Sequence, residues 1–538
     1  MPSFRNPIIT GFNPDPSLCR VGDSFFLITS TFEFFPGIPV YHSSDLIKWQ
    51  QIGNVLTRRS QLEMRTVEPG AGIWASTIRY MEREKRWYVT TGKWDRYRPK
   101  IGERVWHRGF VVWTDNIWKE NSWSDPIYFD QPGFDQDLFF EDDGRVFLST
   151  TYKLHNPPDN IEKHFAIHVS EIDIKTGRSL TVPLILRIAP SGLAEGSHII
   201  KRGSYYYLFT AEGGTEAHHS EWVSRSSAGP LGPYEVGPIG TVNPLVSNTN
   251  DSNVQNTGHA DLVEDSEGNW WAVLLAVRPT KMSDGSWIDS PLGRETFLLP
   301  VVWKDDWPVF NNGQPIELTG EGPNTYTLPE PPRIWTANLD RSELELGWYH
   351  KHTPLRPYHS LKERDGYLRI YGSCYDLSSP ESPSMLLRKQ SDKSMTWAVD
   401  LDFVPDKETY EAGAVAFWNS FCYLSIGIRK NKNGDKLVVI TMPVDGQGKF
   451  DTKKEVLSDG FKKSTRLEIR CTSMSYTVGY VEESGFHGLS TVATEIMTLP
   501  PPLGMAYTGV MLGIYAFGEM EPCLSPADFS NISLEYTC

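Results

Sequence analysis

Three acidic residues, Asp15, Asp135 and Glu195, form a set that could do acid–base chemistry. Each lies near a glycine or a proline, just ahead of a short apolar stretch. Hydrolysis of a glycosidic bond usually needs a protonated carboxyl group for the leaving oxygen and an ionised one that attacks or activates water. A third acid nearby can raise the pKa of the donor, because like charges in one site disfavour joint ionisation. A single acid at a strand start indicates little, since such residues also cap turns or bind structural cations.

The three acids belong to a repeat. Aromatic residues mark the centre of a recurring strand, and consecutive ones are 59 to 65 residues apart: Phe26, Tyr88, Phe147, Tyr206 and Trp271. Eleven to fourteen residues before each aromatic stands one member of a second set: Asp15, Trp74, Asp135, Glu195 and His259. A repeat of this length built from short strands predicts a β-propeller of five blades. We therefore expect these five side chains to face one central cavity.

Four further residues are candidates for binding a substrate. Trp74 could form the floor of a sugar site or fill a blade core, and Phe32 presents the same two alternatives. His259 could ligate a central ion, position a water or be a structural histidine. Arg294 could hold a substrate or form a surface ion pair.

The second half of the chain has a different sequence pattern. A stretch rich in proline and glycine follows residue 320, and the repeat does not continue beyond it. Short alternating strands dominate after residue 335, which favours a β-sandwich. We predict an all-β protein with a propeller over residues 1–320, a linker over 321–334 and a sandwich over 335–538.

Composition excludes some classes of function. The formal charge of −15 argues against nucleic acid or an anionic membrane as a partner. No apolar run is long enough for a membrane span, and the six cysteines lack the spacing of a metal or redox site. The first residues do not resemble a signal peptide, so a cytoplasmic protein is expected, or a secreted one if a leader has been removed. A homo-oligomer is compatible with the sequence.

Several motifs resemble those of glycoside hydrolase family 43, specifically its β-xylosidase branch. The resemblance extends over nearly the whole chain and is most specific in the first half. The matching pieces there include Asn13-Pro14-Asp15-Pro16, Gly72-Ile73-Trp74-Ala75, Ala194-Glu195-Gly196, Gly258-His259-Ala260 and Gly293-Arg294-Glu295-Thr296.

The resemblance implies roles for the three acids. Asp15 corresponds to the general base, Glu195 to the general acid, and Asp135 to the aspartate that tunes the acid. Relatives usually have Asp-Pro-Ser at the third motif, whereas this chain has Asp135-Gln136-Asp137; the repeat spacing favours Asp135. No cofactor is expected to be required, although similar enzymes sometimes hold calcium near the histidine equivalent to His259.

The resemblance also implies roles in binding. Arg294 is expected to hold sugar hydroxyls and Phe32 to line the pocket. Tyr507 is the candidate for an aromatic residue that a sandwich loop brings to the pocket rim.

The resulting hypothesis is an inverting exo-enzyme that releases xylose from the non-reducing end of β-1,4-xylo-oligosaccharides. Two alternatives remain open. One is mainly α-L-arabinofuranosidase activity, and the other is a carbohydrate-binding propeller without catalysis.

Overall fold

The computed structural model of the protein describes residues 3–96, 105–154, 164–322, 334–458, 460–461 and 463–537. Most of the predicted linker, 321–334, lies outside these residues. The regular secondary structure of the described chain is almost entirely strand. Its helical segments are the short 3-10 turns Asn311–Gly313 and Ile496–Thr498, and neither is long and apolar enough to cross a membrane.

Five antiparallel sheets follow one another along the first half of the chain. Blade one has the strands Ser17–Val21, Ser24–Ile28, Gly37–Ser43 and Gln50–Leu56. Blade two has Gly72–Met81, Arg86–Arg96, Val105–Thr114 and Ile127–Tyr128. Blade three has Phe134–Phe140, Val146–Lys153 and Phe165–Asp173, with Arg178–Ser179 and Leu184–Ile188 both paired to the third strand.

The last two blades repeat the pattern. Blade four has Ala194–Arg202, Tyr205–Glu212, Ser220–Ser226 and Glu235–Val236. Blade five has Gln255–Glu264, Trp270–Val277, Glu295–Lys304 and Trp307–Phe310. Short ribbons pair Ser3–Arg5 with Thr319–Glu321, and Thr280–Lys281 with Trp287–Ile288. The predicted five-bladed propeller is confirmed.

The repeat aromatics hold the blades together. Phe26, Tyr88, Phe147 and Trp271 are buried on the second strands of their blades, whereas Tyr206 is half-buried. Aromatic side chains bury a large apolar area each, and that area is the main favourable term in packing one blade on the next. This explains why the aromatic spacing reports the blade length.

The predicted β-sandwich is also confirmed, as two large antiparallel sheets. One sheet has the strand order His359–Ser360, Leu368–Ile370, Ala527–Tyr536, Met395–Asp402, Thr465–Cys471, Ser475–Glu482 and Gly485–Ala493, with Ile334–Thr336 paired to Ala527–Tyr536. The other has the order Phe450–Val456, Lys436–Pro443, Cys422–Lys430, Tyr410–Asn419, Met511–Gly518, Ser384–Lys389, Tyr349–Lys351 and Phe34–Phe35.

The last strand of that second sheet comes from the propeller half of the chain. Phe34 pairs with Lys351 and Phe35 with His350, so a connection within blade one extends the sandwich sheet. Phe12 and Phe32 join the same apolar cluster as Tyr349 of the sandwich. The two halves therefore share a sheet and a hydrophobic core.

One guanidinium group links all five inner strands. Arg79 of blade two donates to Asp137 of blade three at 3.0 Å and to Asp261 of blade five at 2.7 Å. It also lies 3.0 Å from Nδ1 of His198 in blade four and 3.4 Å from Oγ of Ser17 in blade one. The carboxylates of Asp137 and Asp261 are almost fully buried. Without Arg79, two buried negative charges would lose their shared counterion.

We expect Arg79→Met to destabilise the propeller by about 3–5 kcal/mol, because it leaves Asp137 and Asp261 charged and uncompensated. Urea unfolding of the full chain would measure this change. Arg145 is the matched control, since its ion pair with Asp143 is exposed on both sides and exposed pairs contribute little. Similar unfolding midpoints for the Arg79 and Arg145 variants would contradict the importance of the axial network.

Candidate active site

All eight residues singled out from the sequence line one pocket. Its lining includes Asp15, Phe32, Trp74, Asp135, Glu195, His259, Arg294 and Tyr507. The three carboxyl groups of the set therefore line the same pocket.

The inner strands are irregular where they reach the pocket. The strand register shifts between Ile73 and Ser76, between Phe134 and Asp137, and between Glu195 and His198. The inner strand of blade five shifts twice, on both sides of Gly258. A bulge bends its strand and re-aims a side chain. In four of the five blades, such a bulge therefore presents the repeat residue to the pocket.

The backbone at these positions is also unusual. Asp15, Phe32, Asp135 and His259 have φ angles of +50° to +57°. This left-handed region is uncommon for residues other than glycine, and conformations there persist only where the surroundings impose them. Gly196, next to Glu195, has φ +53°, and a Cβ there would lie 2.6 Å from the His259 ring. The segment after Glu195 therefore requires glycine.

Asp15 is buried among groups that favour its charged form. Ser30 Oγ donates to Oδ2 at 2.7 Å, and Arg294 Nη1 lies 3.3 Å from Oδ1. His259 Nδ1 lies 3.4 Å from the same oxygen. Burial by itself would raise the pKa of Asp15, but Arg294, His259 and Ser30 outweigh it and hold that pKa well below its usual range. Asp15 is thus an ionised carboxylate.

His259 carries the complementary charge. Burial opposes protonation of the ring, but the carboxylates of Asp15 and Asp135 raise the pKa of His259 to about 9. Its role in the structure is that of an imidazolium paired with Asp15.

Asp135 and its neighbour Asp137 have different surroundings. Asp135 lines the pocket and accepts the backbone N–H of Gly196 at 2.9 Å. Burial, with the charge of Asp15, raises the pKa of Asp135. Asp137 instead pairs with Arg79 on the axis. The pocket acid of blade three is therefore Asp135, which is the residue that the repeat spacing favoured.

The sandwich closes one side of the pocket. The segment around Tyr507 is hydrogen-bonded to the propeller at both ends, from Met505 N–H to the carbonyl of Pro69 (2.8 Å) and from Val510 N–H to that of Pro291 (2.7 Å). The Tyr507 ring lies 5.6 Å from that of Trp74 and 5.8 Å from that of Phe32.

Arg294 connects the Tyr507 segment to the propeller residues of the pocket. Its guanidinium donates to the carbonyl of Tyr507 at 3.3 Å and to Oγ1 of Thr215 at 2.9 Å, besides its contact with Asp15. It also lies over the faces of the Phe32 and Tyr507 rings. Phe32 is buried and also lines the pocket, and it packs in the apolar cluster shared with the sandwich rather than in a blade core.

Two polar residues of the pocket, His219 and Thr215, were not anticipated. Both follow the second strand of blade four, outside the inner-strand repeat, so the spacing carries no signal for them. The Nδ1 atom of His219 lies 3.0 Å from the carbonyl oxygen of Asn256, which can only accept. Burial lowers the pKa of His219 to about 4. The ring is therefore neutral, and its Nε2 is an acceptor.

The residues around His259 do not fit a directly coordinated metal ion. Among the described residues, no three His, Cys, Asp or Glu side chains are grouped to hold one. The axial carboxylates of Asp137 and Asp261 are already paired with Arg79, whose positive charge would repel a cation.

Comparison with known proteins agrees with this architecture. Residues 4–308 match the family model "Glycosyl hydrolases family 43". Residues 337–535 match the model "Beta xylosidase C-terminal Concanavalin A-like domain". The two matches together cover both halves of the chain.

Individual relatives are similar over nearly their whole length. A non-reducing end α-L-arabinofuranosidase of Bacteroides ovatus is 36% identical, over 98% of this chain and 94% of its own. A xylosidase/arabinosidase of Butyrivibrio fibrisolvens is 31% identical over 99% of each. The crystal structure of a xylan β-1,4-xylosidase from Bacillus halodurans has a TM-score of 0.88 at 29% identity, covering 99% of this chain and 100% of that one. With these matches and a carboxylate-lined propeller pocket, the chain belongs to glycoside hydrolase family 43.

Proposed function

We propose that this glycoside hydrolase is an inverting exo-enzyme that releases xylose from the non-reducing end of β-1,4-xylo-oligosaccharides. The observation that carries the proposal is the set of three carboxyl groups, Asp15, Asp135 and Glu195, around a pocket that the Tyr507 segment closes on one side. A pocket closed in this way suits the end of a chain better than its middle. The similarity to a xylan β-1,4-xylosidase supports the choice of sugar.

The proposed division of labour follows from the surroundings of each acid. Asp15 is ionised and activates the attacking water as general base. Glu195, in the bulge beside Gly196, protonates the leaving oxygen as general acid. Asp135 accepts the Gly196 N–H and so positions the acid's segment, and in the proposal it is the aspartate that tunes the acid. Inversion requires the base and acid to be about 6.5–9.5 Å apart, with room for a water.

Arg294 and His259 keep the base charged, and in the proposal they also donate to sugar hydroxyls. Phe32, Trp74 and Tyr507 supply apolar faces to the sugar ring. No metal or other cofactor takes part in the proposed reaction. If a calcium ion held through water near His259 were needed, treatment with a chelator would reduce the rate.

A second candidate activity is removal of terminal α-L-arabinofuranose. The similarity to a non-reducing end α-L-arabinofuranosidase, and to a xylosidase/arabinosidase, favours it. A panel of aryl glycosides, with xylobiose and arabinosylated oligomers, would rank the two sugars. Proton NMR of the first product would give its anomeric configuration. A retained product would contradict inversion, and turnover of neither pentoside would leave a binding propeller as the better description.

We expect Asp15→Asn to reduce kcat on xylobiose by about 10³-fold or more, because an amide cannot accept the proton of the attacking water. The fold should survive, since the amide oxygen can still accept from Arg294 and the amide nitrogen can donate to Ser30 Oγ. Circular dichroism and the unfolding midpoint are the controls. A variant that keeps most of its kcat would remove Asp15 from the base role.

We expect Glu195→Gln to affect substrates unequally. Xylobiose needs its leaving oxygen protonated and should lose about 10²–10⁴-fold in kcat, whereas an aryl xyloside with an acidic phenol needs little help and should lose far less. The measurement is kcat for both substrates with the same enzyme preparation. Equal losses would show that Glu195 is not the acid.

We expect His219→Leu to raise KM about 10-fold with a smaller change in kcat, because a sugar hydroxyl would lose its acceptor in ground and transition states alike. His219→Gln is the matched variant, since its amide oxygen still accepts, and it should keep more of the affinity. If the Leu variant bound the substrate as tightly as the wild type, His219 would not be a sugar ligand.

A further inference from the structure

Asn13 is the point at which the propeller and the sandwich meet beside Asp15. Its side-chain oxygen accepts from Thr29 Oγ1 at 3.1 Å and from Tyr41 OH at 2.8 Å, both in blade one. It also accepts from Lys389 Nζ of the sandwich at 2.8 Å. An amide oxygen has two lone pairs, so these three donors saturate it.

Hydrogen bonds of the Asn13 backbone also join this residue to Arg294 and to the strand that follows it. The Asn13 N–H donates to the carbonyl of Arg294 at 2.9 Å, and Thr296 Oγ1 donates to the carbonyl of Asn13 at 2.7 Å. A displacement of Asn13 would therefore disturb both Asp15 and Arg294, which touch each other in the pocket.

Little separates Asn13 from Asp15. Pro14 lies between them, and its ring fixes φ. Its carbonyl accepts from Ser30 N–H at 3.1 Å, and Asp15 has a left-handed φ of +54°. Because this segment has so few free torsions, a displacement of Asn13 would move Asp15 as well. The left-handed conformation of Asp15 also depends on its surroundings.

Lys389 is an unusual residue for this place. It ends the strand Ser384–Lys389, and its Nζ lies 4.5 Å from the ring centre of Phe12 and 5.3 Å from that of Tyr349. In the part of the chain that the structure describes, no carboxylate forms an ion pair with it, and burial lowers the pKa of Lys389 to about 7. The side chain is thus aimed at one polar atom, Oδ1 of Asn13.

We propose that Lys389 is a positioning residue for the reaction: through Asn13, the sandwich sets the placement of Asp15 and Arg294 in the propeller. The inference rests on the proposed role of Asp15 as the general base. It gives the second domain a part in the chemical step besides closing the pocket with Tyr507.

A double-mutant cycle tests the proposal with full-length protein. Lys389→Met and Asn13→Ala should each lower kcat/KM by roughly 10–100-fold, mainly through kcat, because a displacement of about 1 Å at the base costs that much. The kcat/KM of the double variant should be no lower than that of the less active single variant, since both substitutions remove the same hydrogen bond between Lys389 and Asn13. Lys389→Arg keeps a donor and should recover part of the rate.

Lys393→Met is the matched control. Lys393 also reaches from the sandwich to the propeller, where it donates to the carbonyl of Pro279 and to Thr280 Oγ1, but it does not touch Asn13. Its loss should change kcat far less, and its effect should add to that of Asn13→Ala. Equal losses for the two lysines, or additive losses for Lys389 and Asn13, would overturn the proposal and leave Lys389 as an interface residue only.

The outcome can be separated from that of the proposed function. The kinetic cycle uses whichever aryl pentoside the wild type hydrolyses, so the identity of the sugar does not matter. The four proteins of the cycle, which are the wild type, Lys389→Met, Asn13→Ala and the double variant, are also compared by urea unfolding without substrate. If no pentoside is hydrolysed, the proposed function fails, and additive unfolding free energies for Lys389 and Asn13 would independently overturn their coupling.

Discussion

The propeller depends on the buried charge cluster around Arg79. Five blades converge on an axis where their inner strands would otherwise bring together two buried carboxylates, Asp137 and Asp261. The guanidinium from blade two satisfies both and reaches His198 and Ser17 of the remaining blades. Because a charge in a buried site is stable only when it is paired, this cluster requires all five blades to be in place at once. The pocket lies at the ends of the same five strands.

A second charge cluster makes the pocket reactive. Asp15, His259 and Arg294 form a compact group in which one carboxylate meets two cations. Burial alone would raise the pKa of Asp15; the two cations outweigh burial and hold that pKa well below its usual range, which favours the carboxylate. Asp135 is close enough to raise the pKa of His259, yet its own pKa is shifted upward. The same pocket thus lowers the pKa of one carboxyl group and raises that of another, because their neighbours differ.

The sandwich is joined to this site by backbone as well as side chains. Phe34–Phe35 extends its sheet, the Tyr507 segment is hydrogen-bonded across the pocket, and Lys389 reaches Asn13. An apolar cluster runs without a break from Phe12 and Phe32 into the sandwich. Interfaces of this kind do not open and close freely, because separating them would expose apolar surface and leave strand hydrogen bonds unpaired. The two halves of this family 43 chain are therefore joined firmly to each other.

By itself, the sequence determined the blade repeat and, through it, which side chains reach the centre. Each blade must bury an aromatic second strand, so the spacing of aromatics locates the inner strands and the acids on them. The repeat spacing favoured Asp135 over Asp137, but only the tertiary structure gave the two acids their different places. In a regular strand, residues two apart share a face, but the bulge between Phe134 and Asp137 sends one acid to the pocket and the other to the axis. The places of His219 and Lys389 could not be predicted from the sequence either, since they follow from contacts between distant segments rather than from a local repeat.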